Sequence, residues 1–188
     1  MNQQISKGII VLLIAAVTVP SGIDAAEIDG VYFNKSLTVE NTTLNLTGAG
    51  LLRYWGFKAY VGALYLEEGC TIEEALFDKA KRIEIEYLRP IRAKDFGTAT
   101  DKSIAKNMDP ETYKQLRPKI DYHNSLYEDV QPGDRYSLTY FPGKGTELAL
   151  NGEPKGTIGG ADFAAAVFSI WLGPEPINES FKRSILGL

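Results

Sequence analysis

In the C-terminal third of the chain, Asn151-Gly152 stands between the segments 146–150 and 155–158, and that dipeptide commits them to an antiparallel hairpin. Both residues tolerate the positive φ of a type I′ turn, whose twist matches that of paired strands. The surrounding pattern predicts three consecutive antiparallel strands over 133–141, 146–150 and 155–158, ended by Gly159-Gly160. Upstream, 31–33, 36–39 and 43–47 read as short strands separated by polar turns, and Gly48-Ala49-Gly50 punctuates them. Two further runs follow, 51–57 and 58–66. The second is almost continuously apolar and aromatic, as expected of a central strand buried on both faces. Over 81–88 the chain alternates, with Ile83, Ile85 and Tyr87 on one face and Arg82, Glu84 and Glu86 on the other. That is the pattern of a half-exposed strand.

Helical spacing is concentrated elsewhere. Phe96, Thr100, Ile104 and Met108 recur at i, i+4 and form one apolar stripe; Tyr113, Leu116 and Ile120 form another behind Pro110, a residue suited to the first helical turn. Thr71-Ile72-Glu73-Glu74 has the capping-box pattern that opens a short helix. Asp162 is placed to cap a helix bearing Phe163, Val167, Ile170 and Trp171, and a last helix spans 178–186. Strands grouped together, with helices segregated from them, mean an α+β domain with a largely antiparallel sheet.

The first residues obey a different logic. Met1 to Lys7 is polar and positively charged, and 8–19 is an uncharged run of twelve residues; Pro20, Ser21 and Gly22 break it before the small residue Ala25. This order is that of a cleavable secretory signal over 1–25, and the run is short of the roughly 20 residues needed to span a bilayer. The expectation is a periplasmic or secreted domain over 26–188 with no later membrane-spanning segment. A net charge of −4 argues against nucleic acid as a partner and against general electrostatic adhesion to anionic lipid.

Cysteine and histidine usage narrows the chemistry further. Cys70 is the only cysteine and His123 the only histidine, so neither an internal disulfide nor a zinc site of the usual ligand set can be built. Cys70 reads as a buried or incidental thiol, and His123, in the polar run Asp121-Tyr122-His123-Asn124, as a surface residue near a helix end. No cofactor or metal is expected.

The residues also carry a resemblance. Thr47 to Arg53 (TGAGLLR) and Phe57 to Glu67 (FKAYVGALYLE) resemble the glycine-rich, arginine-bearing stretch and following strand of the chalcone isomerase fold. Phe141-Pro142-Gly143-Lys144-Gly145-Thr146, Asn151-Gly152, Phe163 and Phe168 to Gly173 are similar to its bacterial secreted branch. The resemblance implies an open-faced β-sandwich, with one large antiparallel sheet, helices packed on one face and a ligand cleft between them.

It also implies a site. Chalcone isomerases cyclise a chalcone with an arginine, a strand threonine, a tyrosine and an asparagine on the next helix, and a late threonine. Arg53 keeps the arginine, but the other four positions fall on Tyr60, Phe96, Ser103 and Ile170. Preorganised donors stabilise a developing enolate, and losing one costs on the order of 100-fold in rate. Phe96 and Ile170 donate nothing. The expected activity is therefore non-catalytic: an apolar cleft binding a fatty-acid-like or other amphipathic carboxylate, with Arg53 and Tyr60 as the pair implied to grip it. Arg53 and Tyr60 converge only if the chain turns or bulges near Gly56. Two alternatives stand beside this reading. One is an isomerase or lyase acting on a non-chalcone enone through Arg53 and Tyr60; the other is an envelope protein that binds a protein partner and no small ligand. Arg89, Arg92, Lys94, Lys102 and Lys106 form a loose basic region that reads as a solvated face.

Overall fold

The computed structural model describes residues 25–188, so the secretory signal expected over 1–25 lies almost wholly outside the described residues. A small hairpin, β1 (Ala25–Ile28) and β2 (Val31–Asn34), precedes β3 (Ser36–Val39), β4 (Thr42–Tyr54), β5 (Phe57–Glu67) and β6 (Lys81–Tyr87). Helices α1 (Ala93–Lys106) and α2 (Pro110–Ser125) follow, then β7 (Arg135–Phe141), β8 (Gly145–Leu150) and β9 (Glu153–Ile158), and finally α3 (Ala161–Leu172) and α4 (Glu179–Ile185). Strands β3 to β9 form one seven-stranded antiparallel sheet in sequence order. Helices cover one face of it and the β1–β2 hairpin covers part of the other, giving two apolar clusters on opposite sides.

The predicted strands and helices largely form, and the differences have identifiable causes. Gly48-Ala49-Gly50 does not end a strand; it lies inside β4, where α4 crosses the sheet too closely for side chains. A Cβ on Gly50 would stand 2.6 Å from that of Ser184. Thr71 and Glu74 do make a local side-chain contact, with the Thr71 amide donating to the Glu74 carboxylate at 3.0 Å, but the segment forms turns rather than a helix. Asp162 lies inside α3, whose N-cap is Gly160, and is held by Lys119 at 2.8 Å.

Two expectations about exposure are corrected. Strand β6 is less exposed than its alternation implies: the β1–β2 hairpin shelters its charged side, burying Glu84 and leaving Arg82 and Glu86 half-buried in an ion-paired network with Arg135. His123 is fully buried rather than on the surface. It continues the inward phase of Leu116 and Ile120 on α2, which the polar residues around it conceal.

Candidate functional site

Between the sheet and the helices lies a cavity of about 240 Å³. Strand β5 brings Tyr60 to its wall, β6 brings Ile83, Ile85 and Tyr87, α1 brings Phe96 and Thr100, and α3 brings Ile170 and Trp171. Parity explains the strand contribution: on β6 every second side chain points to the helix face. The rings interlock, with Tyr60 and Tyr87 edge to face at 5.8 Å, Tyr87 and Phe96 at 5.2 Å, and Phe96 stacked on Tyr127 at 5.0 Å.

The polar fittings are few and, apart from Asp95, uncharged. The Trp171 indole N–H donates to the Tyr60 hydroxyl oxygen at 3.1 Å, which leaves the phenolic proton of Tyr60 available to another acceptor. Tyr127 and Thr100 share a hydrogen bond of 3.2 Å, and the Tyr136 hydroxyl accepts the Glu128 amide at 2.8 Å. Burial raises the pKa of Tyr60, Tyr87, Tyr127 and Tyr136, and for Tyr87 the three neighbouring phenols add to the effect. All four are neutral donors or acceptors in water near neutrality. Among the described residues the one charged side chain in the wall is Asp95, whose carboxylate is paired with Arg92 at 3.1 Å.

Of the residues singled out from sequence, Tyr60, Phe96 and Ile170 stand in the wall, and Arg53 and Ser103 do not. The chain does turn at Gly56, but the register sets Leu52 opposite Tyr60 and Arg53 opposite Lys58, across a local irregularity between Leu52 and Arg53. Leu52 thus faces the cavity while Arg53 is exposed, with no hydrogen bond or ion pair to any described residue. Ser103 is buried on α1, and Thr100 lines the cavity in its place. Thr100 was detectable as the i+4 neighbour of Phe96, and Tyr87 as the end of the Ile83–Ile85 alternation. Tyr127, in the loop after α2, has no periodic signal.

A second hollow of about 310 Å³ adjoins the first, sharing Tyr54, Ala59 and Ile91 with it. Its other walls are Trp55, Phe57, Arg89 and Pro90, with the Arg89 guanidinium over the Phe57 ring at 4.8 Å. Arg89 is therefore the cation set beside the cavity mouth. Cys70 is half-buried, with its pKa raised first by burial and then by Glu74 and Glu67, opposite to what a nucleophile requires. Among the described residues no group of three or more His, Cys, Asp or Glu side chains is arranged to hold a metal ion.

This architecture has known counterparts. No curated protein sequence matches the chain significantly. Among solved structures, a fatty-acid binding protein from Arabidopsis thaliana superimposes with a TM-score of 0.70 at 14% identity, covering 86% of this chain and 95% of its own. A family model described as chalcone isomerase-like matches residues 25–187, nearly the whole described structure. The chain belongs to the chalcone isomerase-like family.

Proposed function

We propose that this protein is an exported, non-catalytic carrier, acting in the periplasm or outside the cell, that binds one fatty-acid-like carboxylate with its tail in the cavity and its head at the mouth. The observation that carries this reading is the wall itself: apolar and aromatic, without a cation, and opening beside Arg89. Such a wall rewards hydrocarbon, since each methylene taken out of water contributes about 0.8 kcal/mol. A charged head would lose its hydration deep inside, whereas at the mouth a guanidinium can meet it bidentately. The fatty-acid binding protein of the same fold supports the ligand class, and the leader pattern in 1–25 supports export.

An enone isomerase is the weaker reading, because Arg53 as electrophile stands away from the hollow where a substrate would lie. A partner-binding protein without a small ligand would have no use for so large an apolar hollow.

Mass spectrometry of an organic extract of protein purified from its native compartment tests the proposal, followed by titration of the stripped protein with saturated fatty acids of graded length. Affinity rises by roughly tenfold for each two methylenes added until the cavity is full. Ala59→Phe, which fills the passage between the two hollows, abolishes binding. Length-independent affinity, or undiminished binding in Ala59→Phe, would overturn the carrier reading.

A further inference from the structure

The described residues include four hairpins with two-residue loops in which both residues have positive φ: Asp29-Gly30, Glu40-Asn41, Trp55-Gly56 and Asn151-Gly152. In this geometry the first position favours Asn, Asp or Gly, which accept the left-handed region at little cost. Asn151, Asp29 and even Glu40 are small or polar loop residues. Trp55 is neither. It holds φ +52° with a bulky aromatic side chain and leaves that side chain 84% exposed, touching the edge of the Tyr54 ring at 6.3 Å. Its neighbours across the turn, Tyr54 and Phe57, are also more than half exposed. Three large aromatic rings therefore crowd one strand tip, where neither turn chemistry nor core packing asks for them.

The charge around this tip differs from that of the whole chain. Asp29 is bound by Lys58 at 2.6 Å and Asp95 by Arg92 at 3.1 Å, so both nearby carboxylates are neutralised. Arg53, two residues before Trp55, Arg89, over Phe57, and Lys94, in the first turn of α1, have no carboxylate partner among the described residues. The net charge of −4 hides a local excess of cations around exposed aromatics. Tryptophan and tyrosine are the side chains that settle at a membrane–water interface, and arginine and lysine flank them by placing aliphatic stems along apolar surface and charges among headgroups.

From this juxtaposition we propose that the β4–β5 tip docks on an anionic phospholipid surface, inserting Trp55 and its aromatic neighbours at headgroup depth while Arg53, Arg89 and Lys94 meet lipid phosphates. A second copy of the chain is the poorer occupant, since a two-fold contact through this tip would press the same three cations against one another. The tip borders the cavity mouth, so docking presents the mouth to the bilayer. Arg89 and the aromatic tip also wall the second hollow, so docking is measured on protein stripped of ligand, where it stands or falls separately from fatty-acid binding.

Trp55 is itself the reporter. In full-length Trp171→Phe protein it is the only tryptophan, and its emission is read with phosphatidylcholine vesicles that contain or lack about a quarter phosphatidylglycerol. The expected result is a blue shift and quenching by brominated lipid with the anionic vesicles, both much reduced with phosphatidylcholine alone. Arg53→Gln weakens vesicle binding roughly fivefold, the share of one interfacial cation. No shift and no quenching would overturn the proposal, as would equal responses to both vesicles. A shift that grows with protein concentration in the absence of vesicles would overturn it in favour of self-association. Should Trp171→Phe fail to fold, Trp55→Ser in the otherwise unchanged chain is compared with the parent by co-sedimentation, where any contribution of residues 1–24 is common to both. A loss of fivefold or more is expected, and an unchanged pelleted fraction overturns the proposal.

Discussion

Along β6, Ile83, Ile85 and Tyr87 turn toward the helices and wall a cavity, whereas Arg82, Glu84 and Glu86 turn toward the β1–β2 hairpin, where Glu84 pairs with both Arg82 and Arg135 and Glu86 with Arg135. The guanidinium of Arg135 also donates to the Tyr32 carbonyl at 3.1 Å and lies over the Phe33 ring, tying hairpin to sheet. One strand thus serves two chemistries by alternation. The hairpin face spends ion pairs on holding a cover in place, and the helix face of β6 offers only apolar and phenolic groups to the space left for a ligand. Among the described residues two basic side chains are nevertheless buried on the helix side. Lys81 donates to the Phe77 and Lys79 carbonyls, and burial lowers its pKa to about 8. Among the described residues His123 has no hydrogen-bond partner on either ring nitrogen, and it sits against Tyr127 and Phe163.

If the two faces are separate in function, damage to one should spare the other. The largest effect is expected from Glu84→Ala, which leaves the Arg82 and Arg135 guanidinium groups partly buried without their shared carboxylate. Stability should fall by about 3 kcal/mol in denaturant titrations, while fatty-acid affinity of the folded fraction is unchanged. A large loss of affinity would break the separation.

His123 gives a pH-dependent effect of nearly the same size on the other side. In the unfolded chain the imidazole titrates near 6.5, and burial lowers it to about 4 in the folded protein. As pH falls the unfolded state takes up the proton first, so stability present above about pH 6.5 is lost progressively down to about pH 4. The loss from this residue approaches about 3 kcal/mol. Thermal melts across that range should show it, and His123→Leu should flatten this part of the slope.

Tyr60→Phe sharpens the comparison within the cavity. It strands the Trp171 indole N–H and should cost about 1 kcal/mol in stability, measured by chemical denaturation. The smallest expected effect is that of Arg53→Ala on fatty-acid affinity in solution and on stability, within about 0.5 kcal/mol by calorimetry and melting. A larger loss of affinity would return Arg53 to the binding site.

The sheet was readable because period-two patterning and turn chemistry are local. Asn151-Gly152 marks its hairpin without reference to the rest of the chain, and Ile83, Ile85 and Tyr87 identify the helix face by parity alone. Phe96 and Ile170 were readable as inward-facing for the same reason, each lying on an apolar helical stripe, and the family resemblance placed them at the cleft. Where several elements meet, local patterning stopped being informative. The polar neighbours of His123 hide its inward phase, and nothing in the loop after α2 announces that Tyr127 reaches Phe96. Gly48 and Gly50 look like punctuation until α4 is seen lying across them.

Residue order alone was enough to establish the α+β class and the strand succession, since each depends on side-chain type and spacing within one element, whereas the poverty of donors at the chalcone isomerase positions followed from the family resemblance. The fate of Arg53 depended on how β4 and β5 pair across the Trp55-Gly56 turn. A shift of one residue exchanges the two faces of a strand, so cross-strand register sends Leu52 into the cavity and Arg53 to solvent. Register, and with it the contents of the cavity, is a property of the assembled sheet.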